Sequence, residues 1–179
     1  LWQRGVRDAA AARQFLRPQL RDLRDPFELP AMSDAVDRIL AALAAGERIV
    51  IYGDYDVDGI TASTLLTRVL RAAGGHVANF LPLRQEEGYG LSADGCARCL
   101  HEHRPQLLIA VDCGTSSAAE IATLRPAGVD VIVLDHHEPA AELPACVALV
   151  NPKLHRTATP LASVGVAFTL AHALAHQSA

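Results

Sequence analysis

Residues 48–59 read RIVIYGDYDVDG, and this stretch decides the fold. Arg48 to Gly53 is short, apolar and β-branched, which reads as a strand. Three carboxylates follow at alternate positions, Asp54, Asp56 and Asp58. A helical pattern then runs from about Gly59 to Ala73, where Gly74-Gly75 stops it. Alternate carboxylates in one turn aim at one point, and they repel one another unless a cation or a proton intervenes. An exposed acidic turn is the plainer alternative, but a strand runs straight into this one. An EF-hand loop shares the acidic spacing, yet Leu65 stands at its twelfth position where a bidentate Glu is required.

The same sequence of strand, polar loop and helix recurs outward from this point. Strands are expected at about His76–Leu81, Leu107–Val111, Val129–Leu134 and Val147–Val150. Ser33 is placed to cap a helix that Gly46 ends, with Val36, Ile39, Leu40 and Leu43 on one face. Ser92 caps a helix to about His103, Ser117-x-x-Glu120 reads as a capping box, and Leu161 to His176 is a final helix. Short apolar strands alternating with helices predict an α/β fold, a doubly wound sheet of about five mainly parallel strands flanked by helices. Ligands bind such sheets beyond the carboxyl ends of the strands.

Two more reactive clusters fall at such ends. Asp112 closes one strand and precedes Cys113-Gly114 and the hydroxyls of Thr115, Ser116 and Ser117. Asp135, His136 and His137 close another. Helix capping is the alternative role for Asp112 and for the histidines. Adjacent histidines point differently, so one is expected to ligate while the other faces substrate. Oxygen donors with one imidazole suit Mn²⁺ or Mg²⁺ in a two-metal site better than Zn²⁺. The polar loop 82–91, PLRQEEGYGL, offers Arg84 for a phosphate, Gly88 and Gly90 for close backbone approach, and Tyr89 for stacking on a base. Cys96, Cys99, His101 and His103 have a zinc-like spacing. They lie on one short helix, however, where Cys96, Cys99, Leu100 and His103 share a face suited to core packing.

Bulk composition sets outer bounds. The 179 residues are half hydrophobic, enough for one domain with a real core, and carry a net charge of -4. That charge argues mildly against non-specific duplex binding, although acids at a metal site are offset by bound cations. No apolar run reaches the roughly 18–20 residues of a membrane span, and no signal-peptide pattern is present. Cys96, Cys99, Cys113 and Cys146 read as the reduced thiols of a cytoplasmic protein. Residues 1–30 hold Arg4, Arg7, Arg13, Arg17, Arg21 and Arg24, interrupted by Pro18, Pro26 and Pro30. They form an expected N-terminal arm packing on a domain of residues 31–179, and the arginines suit a solvated face or a phosphate contact. A start at Leu1 and an Ala-rich end read as a piece of a longer chain.

At YGDYDVDG (52–59), PLR..EGYGL (82–91), DCG (112–114), DHH (135–137) and VNPK (150–153), the sequence resembles the DHH phosphoesterase family, and within it the RecJ-type exonucleases. The resemblance covers about Arg48 to the final helix. It implies a Mn²⁺/Mg²⁺-dependent hydrolase that degrades single-stranded DNA from 5′ to 3′ in recombination and repair. Asp56 and Asp58 would be split between two ions, Asp112 would bridge them and His136 would complete one. Asp54 would support the cluster or reach the second ion, Asp135 would orient an imidazole, and His137 would contact the scissile phosphate. A single-strand-binding protein and a helicase are the implied partners. Leu83 departs from the family's Asn, and Tyr52 stands where small-nucleotide phosphodiesterases of the superfamily carry His. The family's fourth metal-binding Asp lies beyond the final helix, and no Asp follows Asp135 here. That predicts a domain cut before its last metal motif, with weak binding at one position and little activity by itself. The other readings are a phosphodiesterase for short oligonucleotides or cyclic dinucleotides, and an inactive DHH scaffold that binds DNA or protein.

Overall fold

The computed structural model describes residues 1–83, 88–154 and 161–177. Five strands form one parallel sheet: β1 (Arg48–Tyr52), β2 (His76–Phe80), β3 (Leu107–Val111), β4 (Asp130–Leu134) and β5 (Ala148–Val150), in the order β2-β1-β3-β4-β5. Tyr52 pairs with Phe80 and Ala110, Val111 with Leu134, and Leu134 with Val150. All five carboxyl ends therefore open on one edge. The chain leaves β1 toward β2 on one side and later returns to β3 on the other, so the order reverses between β1 and β3. Ligands of open parallel sheets collect at such a reversal.

Apolar residues on both faces of the strands hold the helices in two layers. Ile49, Ile51, Leu107, Ile109, Val111, Ile132 and Leu134 pack beneath α2 (Met32–Ala45), α3 (Val57–Ala72) and α6 (Ser163–Gln177). Val50, Tyr52, Leu108, Ala110, Val131 and Val133 pack beneath α4 (Ala93–His103) and α5 (Ala118–Leu124). Leu66 of α3 is fully buried between helix and sheet, so Leu66→Ala is expected to cost about 2–5 kcal/mol of stability. No helix among the described residues is long and apolar enough to cross a membrane.

Three helix starts differ from the sequence reading. Ser33 does not cap α2, which begins at Met32 after Ala31 in a left-handed conformation (φ 56°) without a side-chain cap. Met32 is almost fully buried and its N–H bonds Leu29, which winds the chain into the helix early. Helix α3 begins at Val57 rather than Gly59, because Asp56 caps it and accepts the Gly59 N–H at 2.9 Å. Ser117 precedes α5 but its side chain makes no cap bond, so the expected capping box is not formed. Its ψ of 47° is outside the extended region a capping residue needs. Ser92 does cap α4, accepting the Gly95 N–H at 3.1 Å.

In the arm, α1 (Ala9–Leu16) is capped by Asp8, which accepts the N–H groups of Ala10 and Ala11. It has no buried residue, and Phe15 and Leu16 are exposed. Close packing on the domain begins only around Pro26–Leu29, where Pro26 and Leu29 are buried.

Candidate metal centre

Three strand ends bring the reactive side chains together at the reversal. Asp54 follows β1 and is 0% exposed; Oδ1 accepts the Tyr55 N–H at 2.7 Å. Its Oδ2 is buried with no hydrogen-bond partner. Gly59 permits this packing, since a Cβ there would lie 2.6 Å from the Asp54 carbonyl oxygen. Asp56 stands at the surface beside Asp54, with its pKa lowered mainly by the Gly59 N–H.

Asp112 follows β3, is 1% exposed and has a left-handed backbone (φ 63°), uncommon outside glycine. Oδ1 accepts the Ser163 hydroxyl at 2.8 Å, and Oδ2 is buried without a partner. Burial, together with Asp58 and Asp56 nearby, pushes its pKa up to about 7 against the lowering effect of Ser163. Asp54, Asp56 and Asp112 each offer a ligand atom, all within 4.8 Å of one another. Asp112, His136 and His137 form a second such group. Asp112 belongs to both.

At the end of β4 the hydrogen bonding is complete. Asp135 Oδ1 accepts the main-chain N–H groups of His136 (2.7 Å) and His137 (3.2 Å) and lies 2.7 Å from His137 Nδ1. Its Oδ2 accepts the Thr115 N–H at 3.0 Å. Burial opposes ionisation of Asp135, but the hydrogen bonds from Thr115 and His137 hold its pKa below the ordinary value. Burial likewise opposes the charged form of His137, and Asp135 outweighs it and raises the pKa. With Nδ1 turned to Asp135, His137 keeps Nε2 for the centre. His136 Nε2 lies 3.4 Å from Asp112 Oδ1 and 3.6 Å from Asp58 Oδ2.

Asp58, expected to be a ligand, lies at the edge of this centre: its two oxygens accept the Ser163 and Val164 N–H groups at 2.7 and 2.8 Å, and Oδ2 is 3.6 Å from His136 Nε2. Both histidines offer a nitrogen within 4.8 Å of an Asp112 oxygen, so the expected ligand, His136, and the expected phosphate contact, His137, stand side by side. Gly88 and Gly90 have φ values of 82° and 67°, a backbone that favours glycine, and a Cβ on either would meet no protein atom closer than 3.4 Å. The Tyr52 hydroxyl donates to the Gly90 carbonyl at 3.2 Å, tying this loop to β1. Exposed Tyr89 meets Tyr55 edge-on at 5.8 Å and His137 at 6.5 Å. Partial burial and the facing Asp54 raise its phenol pKa. Arg84 lies outside the described residues.

Three supporting residues were not given roles from sequence. Asn151 is fully buried and donates to the Thr115 hydroxyl (3.0 Å) and the His137 carbonyl (2.9 Å), fastening the ends of β3, β4 and β5 together. Thr115 and Ser163 are the others. A polar residue where an apolar run begins, as at Ser163, was the available signal. The Cys96 and Cys99 thiols are buried and pushed up to about 11 and about 12 by desolvation, as packing groups are, and they join no ligand group among the described residues.

Two buried orphan oxygens facing a set of carboxylates and imidazoles fit a hard or borderline divalent cation, which supplies the missing counter-charge. The comparisons with known proteins agree with this chemistry. The single-stranded-DNA-specific exonuclease RecJ of Bacillus subtilis (strain 168) is 42% identical over 177 residues, 97% of this chain and 22% of that protein. A crystal structure of exonuclease RecJ bound to manganese matches with a TM-score of 0.78 at 38% identity, covering 84% of this chain and 38% of that one. RecJ from Thermus thermophilus in complex with Mn²⁺ matches with a TM-score of 0.80 at 33% identity, covering 99% and 24%. The single-stranded-DNA-specific exonuclease RecJ of Dickeya dadantii is 43% identical over 176 residues, and the chain spans 22% and 30% of the length of these two curated relatives. The model of the DHH family, N-terminal domain, matches residues 48–179, and with these relatives and this sheet edge the chain belongs to the DHH family.

Proposed function

We propose that this chain carries the divalent-metal centre of an exonuclease that hydrolyses single-stranded DNA from its 5′ end. The observation that carries the reading is Asp112, a buried carboxylate common to both ligand groups with one oxygen unpartnered. Asp54, Asp56 and Asp112 would hold one Mn²⁺ or Mg²⁺, and Asp112 with His136 and His137 a second. Bound there, the pair would supply Lewis acidity and a water of lowered pKa.

The protein's own groups set the geometry. Asp135 fixes the orientation of His137, and Asn151 fixes the loop that carries it. The exposed ring of Tyr89 stands at the mouth of the site and suits stacking on a base, a contact available only when the strand is unpaired. Water adds to phosphorus and the bond to the 3′ oxygen breaks. That releases a 5′-mononucleotide and leaves a new 5′-phosphate on the shortened strand. A single-strand-binding protein and a helicase are the partners this activity would require, and DNA repair in the cytoplasm is its setting.

Digestion of 5′- and 3′-end-labelled single-stranded and duplex DNA with Mn²⁺, Mg²⁺ or EDTA tests the reading. Nucleotide release from the 5′ end of single strands alone, abolished by EDTA, is expected of the protein containing this chain. Undiminished release in EDTA, or equal attack on duplex, would contradict it.

A further inference from the structure

Ser163 is fully buried at the first position of α6, yet its hydroxyl does not cap its own helix. It donates to Asp112 Oδ1 across 51 residues of sequence. Its main-chain N–H donates to Asp58 Oδ2, and the next N–H, of Val164, donates to Asp58 Oδ1. One helix start therefore grips two carboxylates, Asp112 at the end of β3 and Asp58 in the first turn of α3. An aspartate carboxylate turns about two side-chain torsions, and the Ser163 hydroxyl on Oδ1 restrains that rotation; Oδ2 is the oxygen left without a partner.

We infer that Ser163 is a positioning residue of the metal centre: through its hydroxyl it sets the orientation of Asp112, the carboxylate common to both ligand groups. The inference rests on the metal reading of the centre. Groups that orient a ligand from behind typically change metal affinity 10–100-fold when removed. A hydroxyl that merely satisfied its own burial would change folding stability and leave metal affinity untouched.

The test uses the 179-residue chain, with Mn²⁺ affinity measured by calorimetry and by the electron paramagnetic resonance signal of free Mn²⁺, and melting measured in EDTA. Ser163→Ala is expected to weaken binding about tenfold while the metal-free protein still melts cooperatively. Ser163→Thr and Ser163→Val form a nearly isosteric pair that differs in the hydroxyl, which controls for packing at this buried position. Thr is expected to bind Mn²⁺ more tightly than Val. Equal affinity of the Thr and Val variants, or wild-type affinity in Ser163→Ala, would overturn the inference. Asp112→Asn separates the two levels: if it binds Mn²⁺ as the wild type does, the metal reading itself fails, whereas loss there with no effect at Ser163 sinks only the role of the hydroxyl.

Discussion

The loops after β1 and β3 and the loop after β4 are all acidic, and all lie on one sheet edge, but their carboxylates are in opposite states. Asp54 and Asp112 are buried with an oxygen unpartnered. Asp135 is as deeply buried and has both oxygens occupied, by Thr115 on one side and by the two histidines on the other. A buried charge without partners is costly unless something arrives to balance it. In the proposed centre the first two would be balanced by an exchangeable cation, whereas the third already holds protein. The distinction lies in the hydrogen bonds and not in residue type or spacing.

That comparison predicts a graded mutational series. Asp112→Asn removes the charge common to both groups. It is expected to weaken Mn²⁺ binding at least about a hundredfold, beyond the ordinary range for a group behind a ligand, with little loss of stability because the carboxylate removed has a buried oxygen without a partner. Asp135→Asn should do the reverse. Hydrogen bonds to a charged group are worth roughly 1.5–3 kcal/mol, so this variant should melt measurably lower in EDTA. Its Mn²⁺ affinity should fall less than that of Asp112→Asn. If Asp135→Asn abolished binding while keeping its melting temperature, the division between cation-facing and protein-facing carboxylates would be wrong. Asp58→Ala comes next. Loss of the acceptors for the Ser163 and Val164 N–H groups at the start of α6 should cost about 0.5–2 kcal/mol, again with a smaller effect on Mn²⁺ than Asp112→Asn.

The pH dependence sharpens the same contrast. With its pKa pushed up to about 7 in the metal-free protein, Asp112 keeps a proton that the unfolded chain releases near 3.8. The folded state thus binds more protons between these values, and the metal-free protein should lose stability as pH rises from about 4 to 7 and level off above. Melting in EDTA across that range, compared with Asp112→Asn, isolates this contribution; identical pH profiles would refute it. Mn²⁺ must displace the same proton, so affinity should rise from about pH 6 to 8. The smallest effect is expected from the Cys96→Ser/Cys99→Ser pair, which should leave Mn²⁺ affinity unchanged. Metal analysis showing zinc lost in that pair would reassign those thiols.

The fold was readable because each strand is a short β-branched run between turn residues, and all five appear within two residues of the expected bounds. Which acids lie at strand ends followed directly. Helix starts were less legible: Asp56, not Gly59, opens α3, because the first polar group to satisfy free N–H groups is decided by backbone torsion. Least legible were contacts across long separations. Asp58 meets Ser163 across 105 residues and Asp112 meets it across 51, and no local pattern marks either pairing. Local spacing groups Asp58 with Asp54 and Asp56, and only the tertiary structure shows that it also holds the start of α6.

In the proposed centre one buried carboxylate, Asp112, would serve two cation positions. A Mn²⁺ titration of the wild type, Asp54→Asn and Asp112→Asn, followed by calorimetry at about pH 8, where Asp112 has lost its proton, tests it most directly. Asp54→Asn should weaken one binding event and spare the other, whereas Asp112→Asn should weaken every event seen in the wild type. An Asp112→Asn protein that retained any binding event at wild-type affinity would contradict the account.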